Sequence, residues 1–301
     1  MDTALAGTIL TRDLVAADGR IVASRGEVVD LNYLREVASR APPALRQRPL
    51  AETSLADDLL DAFEAPPLQH LIGSSQARAH AADVLADIRF PQEVWDELEQ
   101  LRSEDTARLQ HALWTAVVAA RLFRAALGNS PALGRTLSGA LVHDLGMRHA
   151  APRLRQKRDH LTRAEALALE DHPLLGALLL ASVLGDAPAV HLALLHHVRA
   201  GHGYPRVAAR APLRGLDVLS VASAFAAMIA SRTWRPQPYS ARGAIDQLLD
   251  EAEAGHFDER AVRLLIFCMR GGQGGLNELR LPRSQTGFRP TVNHHGMQVA
   301  G

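Results

Sequence analysis

The chain of 301 residues holds 14 histidines, and a subset of them stands where chemistry could be done. His196 and His197 are adjacent and run into Val198-Arg199-Ala200-Gly201-His202-Gly203-Tyr204-Pro205. Upstream, His143 is followed directly by Asp144, with His111 before that pair and His172 after it. Imidazole nitrogens suit a first-row transition metal, and a carboxylate can bridge two ions. Neighbouring helical residues diverge by about a hundred degrees, so His196 and His197 can face two ions, or one ion and a phosphate. Gly201 and Gly203 permit close backbone approach to a ligand. Tyr204 offers a hydroxyl or a stacking face. Each residue also has a plainer reading. His111 alone is one histidine at a helix interface, and His143-Asp144 alone could be an exposed helix end. His294-His295 lies in a polar, aperiodic tail and reads as a surface pair.

These residues must be positioned by helices. From about residue 74 to 270 apolar residues recur with a period near 3.6. Helices are expected near 76–88, 91–104, 105–127, 131–146, 163–183, 187–199, 215–232, 241–254 and 258–271. Pro91, Pro131 and Pro173 fall near segment starts, where a missing N–H is tolerated. The N-terminal stretch differs. Gly7-Thr8-Ile9-Leu10 reads as a strand, Ala17-Asp18-Gly19-Arg20 as a hairpin turn, and Ile21-Val22-Ala23 as the returning strand. Asp30 suits the N-cap of a short helix. The chain therefore divides into a hairpin-plus-helix module (1–48), a linker with a short helix (49–74), a helical domain (75–272) and a polar, partly disordered tail (273–301).

Composition narrows the function classes. Apolar residues make up 47 %, aromatics only 4 %, and the 33 basic residues balance 33 acidic ones. A neutral chain is not marked as a binder of nucleic-acid polymers or membrane surfaces. The basic run 153–158 reads as a solvated face. Cys268 is the single cysteine, set in an apolar helical stretch, and it fits a reducing compartment. The N-terminus lacks a signal-peptide pattern, and the apolar run 174–184 is too short to span a bilayer. A cytoplasmic location is expected.

Taken together, His143-Asp144-Leu145-Gly146, Leu161-Thr162-x-x-Glu165, His172-Pro173-x-x-Gly176 and His196-His197 with Gly203-Tyr204-Pro205 resemble the HD-GYP family. These are metal-dependent phosphohydrolases that open cyclic di-GMP. The resemblance covers roughly residues 100 to 270 and includes Arg232-Thr233-Trp234-Arg235-Pro236. It implies a mainly α fold, an HD-type helical bundle, here with a small N-terminal β-containing module. It also implies two divalent metal ions, iron or manganese. Asp144 would bridge them. His111 and His143 would bind the first, and His172, His196 and His197 the second. Asp144 and His143 would be catalytic, with a metal-activated hydroxide attacking phosphorus. Gly201, Gly203, Tyr204, Arg232 and Arg235 would contact substrate. The expected partners are cyclic di-GMP or a related nucleotide, with a signalling protein or a second copy of the chain as further candidates.

The chain departs from the family at several positions. Met147 replaces the lysine of His-Asp-x-Gly-Lys, so one cationic phosphate contact is lost. Ser223 and Ala226 stand where the family has aspartates, the first of them a metal ligand. Val198 replaces a glutamate, the glycine loop is one residue shorter, and Ile229 stands where threonine is common. Three readings follow. The first is a slow cyclic di-GMP phosphodiesterase. The second is a degenerate domain that senses a nucleotide or docks a signalling protein. The third is an HD-type phosphohydrolase of another phosphoester.

Overall fold

The computed structural model describes residues 7–42, 46–72, 74–128, 132–150, 154, 157, 161–199, 202–205, 215–233, 235–276, 279 and 286–291. Gly201, Trp234, His294-His295 and most of the basic run 153–158 lie outside the described residues. The fold is mainly α, as the periodicity predicts.

The N-terminal module opens with β1 (Thr8–Ile9), β2 (Leu14–Val15), β3 (Ile21–Ala23) and β4 (Val28–Val29), followed by α1 (Leu31–Ser39). β1 pairs antiparallel with β4, and β2 with β3. Gly19 takes the positive φ that the expected hairpin turn needs. The Asp30 carboxylate accepts from the Tyr33 N–H at 2.8 Å, capping α1 as the sequence predicts. One face of the module joins the core through Leu10, Leu14, Ala23 and Val29, and α1 packs on the helix His172–Leu184.

The helical body follows as β5 (Gln47–Pro49), α2 (Leu55–Glu64), α3 (Gln69–Ile72), α4 (Ser75–Ala86), β6 (Arg89–Pro91), α5 (Gln92–Glu104), α6 (Thr106–Leu127) and α7 (Ala132–Val142). It continues with α8 (Met147–Ala150), α9 (Arg163–Glu170), α10 (His172–Leu184), α11 (Pro188–Leu195), β7 (Val198–Arg199) and β8 (His202–Gly203). It closes with α12 (Leu216–Ile229), α13 (Ala241–Glu253) and α14 (Glu259–Met269). Helix α6 is the hub: every residue from His111 to Ala120 is buried, and α7, α12 and α14 pack around it.

Four expectations shift. Residues 49–74 do not form a free linker; Leu55, Leu59, Phe63, Leu68 and Ile72 are buried in the common core, because their spacing makes an apolar helical stripe. The helix expected over 163–183 is interrupted at Asp171. Pro173 has no N–H with which to continue the ladder of α9, so a new helix begins at His172. The helices expected to run to 146 and 199 stop at Val142 and Leu195, leaving His143-Asp144 and His196-His197 in turns. Within the polar tail, residues 286–291 are docked on α13. Ser240 N–H donates to Phe288 O at 3.1 Å and Gly287 N–H to Asp246 Oδ2 at 2.8 Å.

Arg163–Leu184 taken together is long and apolar enough to cross a bilayer, but half of its most apolar stretch is buried. It is broken at Asp171 and packed against α1 and α11, as a core helix is.

Two polar contacts fasten the N-terminal module. Arg12 Nε donates to Asp171 Oδ2 at 2.7 Å, and Ala17 N–H donates to His149 Nδ1 at 3.0 Å. His149 in turn meets Glu97 at 2.8 Å, as does Arg148. Burial alone would raise the Glu97 carboxyl. The His149 hydrogen bond and the Arg148 charge outweigh it and hold the group below its ordinary 4.5. A depressed carboxylate stabilises the fold above its unfolded pKa and loses that contribution as pH falls through its folded value. Glu97→Gln should cost about 1–2 kcal/mol at neutral pH. The gap in stability from wild type should shrink below pH 4.5. Chemical denaturation across pH checks this, and a gap that stays constant with pH would refute it.

Candidate metal centre

The histidines and the aspartate come from helix ends that point at one another. Asp144 lies just after α7, His196 and His197 just after α11, and His172 opens α10. His111 projects from the second turn of the buried hub α6. Two glycines permit the approach. A Cβ on Gly146 would lie 2.0 Å from His172 O and 2.6 Å from Gly176 N. The turn after α7 therefore presses backbone to backbone on α10, which sets Asp144 beside His172. Gly203, at φ +92°, is equally obligatory: a Cβ there would lie 2.1 Å from His197 O.

Three of the imidazoles are oriented in the same way. The Nδ1 atoms of His143, His172 and His196 meet the carbonyls of Ala140, Leu169 and Ala193 at 2.8, 2.6 and 2.7 Å. A carbonyl only accepts, so each Nδ1 carries the proton and each Nε2 presents a lone pair inward. His172 Nε2 and His196 Nε2 are 3.2 Å apart, and Asp144 Oδ1 lies 3.1 and 3.2 Å from them. His197 completes this group and stacks on Tyr204 with ring centroids 4.6 Å apart. On the other side, Asp144 Oδ2 lies 3.6 Å from His111 Nε2. His111, His143 and Asp144 form a second group, so the carboxylate is shared.

Such a set of facing acceptors closes only if positive charge sits among them, either a proton on an imidazole or a metal ion. Burial disfavours the proton. It pushes His111 and His197 well below the usual imidazole value and His143 to about 4, and it lowers His196 as well. Burial acts to raise Asp144, but positive charge on the neighbouring imidazoles outweighs it and takes the carboxyl well below its usual range. Neutral imidazoles grouped around an ionised carboxylate are the donor set of a divalent transition metal. His111 Nδ1 is buried with no hydrogen-bond partner among the described residues.

A family model described as HD domain matches residues 114–261. The chain contains an HD domain. The match supports the HD superfamily and suggests a metal-dependent phosphohydrolase. A search of curated proteins finds no match. His111 lies just ahead of the matched span, and the other five residues of the cluster lie within it.

The HD domain opens the cluster onto a cavity of about 810 Å³. Gly203, Tyr204 and Arg232, which the resemblance implies as substrate contacts, line it. Arg235 is a correction. It is 3 % exposed, and its Nη2 donates to the carbonyls of Ala227, Met228 and Ala230, which end α12. Its guanidinium is consumed as a helix cap, and the paired Arg232–Arg235 backbone bonds make it an anchor for Arg232.

Among the departures from the family pattern, Met147 lines the cavity. Ser223 Oγ lies 3.2 Å from His143 Nε2 and 3.4 Å from His111 Nε2. Ala226 is fully buried in the core. Two cavity residues escaped the sequence reading. Arg199 donates to His196 O and Ser220 Oγ and lies over the Phe257 ring. Arg108 stands one helical turn before His111, and that spacing was the available signal.

Asp144→Ala removes the ligand common to both groups and should lower divalent-metal affinity more than about 100-fold. His111→Ala should weaken only one class of site. Metal titration with elemental analysis checks this, and equal loss in both variants would refute the shared-carboxylate geometry.

Proposed function

We propose that the chain is a slow, metal-dependent phosphodiesterase of HD-GYP type that hydrolyses cyclic di-GMP. One observation carries the reading: two histidine groups share Asp144 at the floor of a cavity with cationic and aromatic walls. Two ions are proposed, iron or manganese, one held by His111, His143 and Asp144, the other by Asp144, His172, His196 and His197. Bound there, divalent ions supply Lewis acidity toward a phosphoryl oxygen and lower the pKa of water. The chain's own residues do the rest. Asp144 fixes the spacing of the two groups. Carbonyl-anchored imidazoles hold their direction without reorganising. Arg232 faces the substrate charge, and Tyr204, stacked on His197, presents an edge to a nucleobase.

Ser223 favours a second reading. A neutral hydroxyl between His111 and His143 binds a divalent ion weakly, as would suit a degenerate domain that senses a nucleotide or docks a signalling protein. The deciding experiment is hydrolysis of cyclic di-GMP by anaerobically purified protein loaded with iron or manganese. The His143→Ala, Asp144→Ala double variant is the control. Product lost in the double variant supports the enzyme. Nucleotide binding without product, in metal-loaded protein, supports the sensor. Ser223→Asp with Met147→Lys should raise turnover by about tenfold or more, since one ligand and one phosphate contact return; an unchanged rate would count against a catalytic scaffold.

A further inference from the structure

We propose that Arg108 is a phosphate-binding residue of this site and supplies the cation that Met147 does not. The inference rests on the phosphodiester reading above. Arg108 and Arg232 line the same cavity as His111, Asp144 and Met147, and they approach from different elements. Arg232 Nη1 donates to Ala107 O at 3.3 Å, which brings its guanidinium to the first turn of α6, beside Arg108. Asp105 accepts from the Arg108 N–H at 3.1 Å and from its Nε at 2.9 Å. That carboxylate therefore caps α6 and fixes the plane of the guanidinium. The pair is largely shielded, with side chains 15 % and 9 % exposed. The Arg108 Nη groups have no hydrogen-bond partner among the described residues.

Two guanidiniums brought together at a cavity wall repel one another. Burial and the neighbouring Arg108 both disfavour the charge on Arg232, and among the described residues no carboxylate lies at ion-pair distance from it. Such an arrangement gains most from an anion that two planar forks can share, and a tetrahedral phosphate offers oxygens on more than one edge for bidentate contacts. The position also suits the chemistry. Arg108 sits three residues before His111, so both project from one face of α6, and an anion held by Arg108 abuts the metal-binding groups. The loss of a lysine at position 147 thus changes where the positive charge enters the cavity, from the turn after Asp144 to the start of α6.

The test uses full-length, manganese-loaded protein and inorganic phosphate, with affinity read by calorimetry. Arg108→Met should weaken phosphate binding about tenfold, with manganese content and secondary structure unchanged. Arg108→Lys should retain part of the affinity. Adding Met147→Lys to Arg108→Met should recover most of the loss, which a purely structural role for Arg108 would not allow. In cyclic di-GMP hydrolysis the same variant should raise KM or lower kcat, and Met147→Lys should again rescue it. Unchanged phosphate affinity in Arg108→Met, loss without rescue, or no phosphate binding by wild type would overturn the assignment. Phosphate binding that needs Arg108, in a protein that never hydrolyses cyclic di-GMP, would instead sustain the assignment and reject the phosphodiesterase.

Discussion

Crowding of lone pairs around Asp144 is the interaction on which the rest of the structure turns. Its two oxygens face His172 and His196 on one side and His111 on the other, at 3.1, 3.2 and 3.6 Å. Left without positive charge, such a group would repel itself apart in a medium of low polarity. The fold holds it together because each partner is fixed elsewhere: by a backbone carbonyl, by the hub helix, or by stacking on Tyr204. The arrangement is thus spring-loaded toward a cation and away from the empty state. The helices reinforce this. Helices α7 and α11 end at the cluster, and the partial negative charge of a helix C-terminus favours a cation placed there.

Close approach of backbones is the second requirement. Gly146 against His172 and Gly176 removes side-chain volume at the crossing of the α7 turn and α10. Any larger residue would separate Asp144 from His172 and convert a shared carboxylate into two incomplete half-sites. The break at Asp171 serves the same end, since it turns α10 so that its first residue faces the cluster.

Much of this was legible in sequence. A short helix with a clear cap, such as α1 with Asp30, was readable because its signals are local. The six cluster residues were readable together because the motifs that hold them resemble those of HD-GYP proteins; taken singly, His111 carried no such signal. What escaped depends on tertiary packing. Whether a helix ends at Leu195 or continues through His197 is decided by the loop that folds back onto it. Residues 49–74 look like a linker until their apolar stripe meets the hub. Arg235 looks like a ligand-binding arginine until its guanidinium is found on the carbonyls of α12. Arg108 carries no signal beyond its spacing from His111, and its nearness to Arg232 depends on the long-range bond from Arg232 to Ala107 O.

The shared anchoring of His143, His172 and His196 has a further consequence. Each imidazole takes its direction from a carbonyl three residues earlier in its own chain segment, not from a neighbouring ligand. The cluster is therefore a set of independently mounted parts. A change at one mount, such as serine at position 223, leaves the aim of the others untouched. A site built this way can lack one ligand and still present the remainder with every histidine in register.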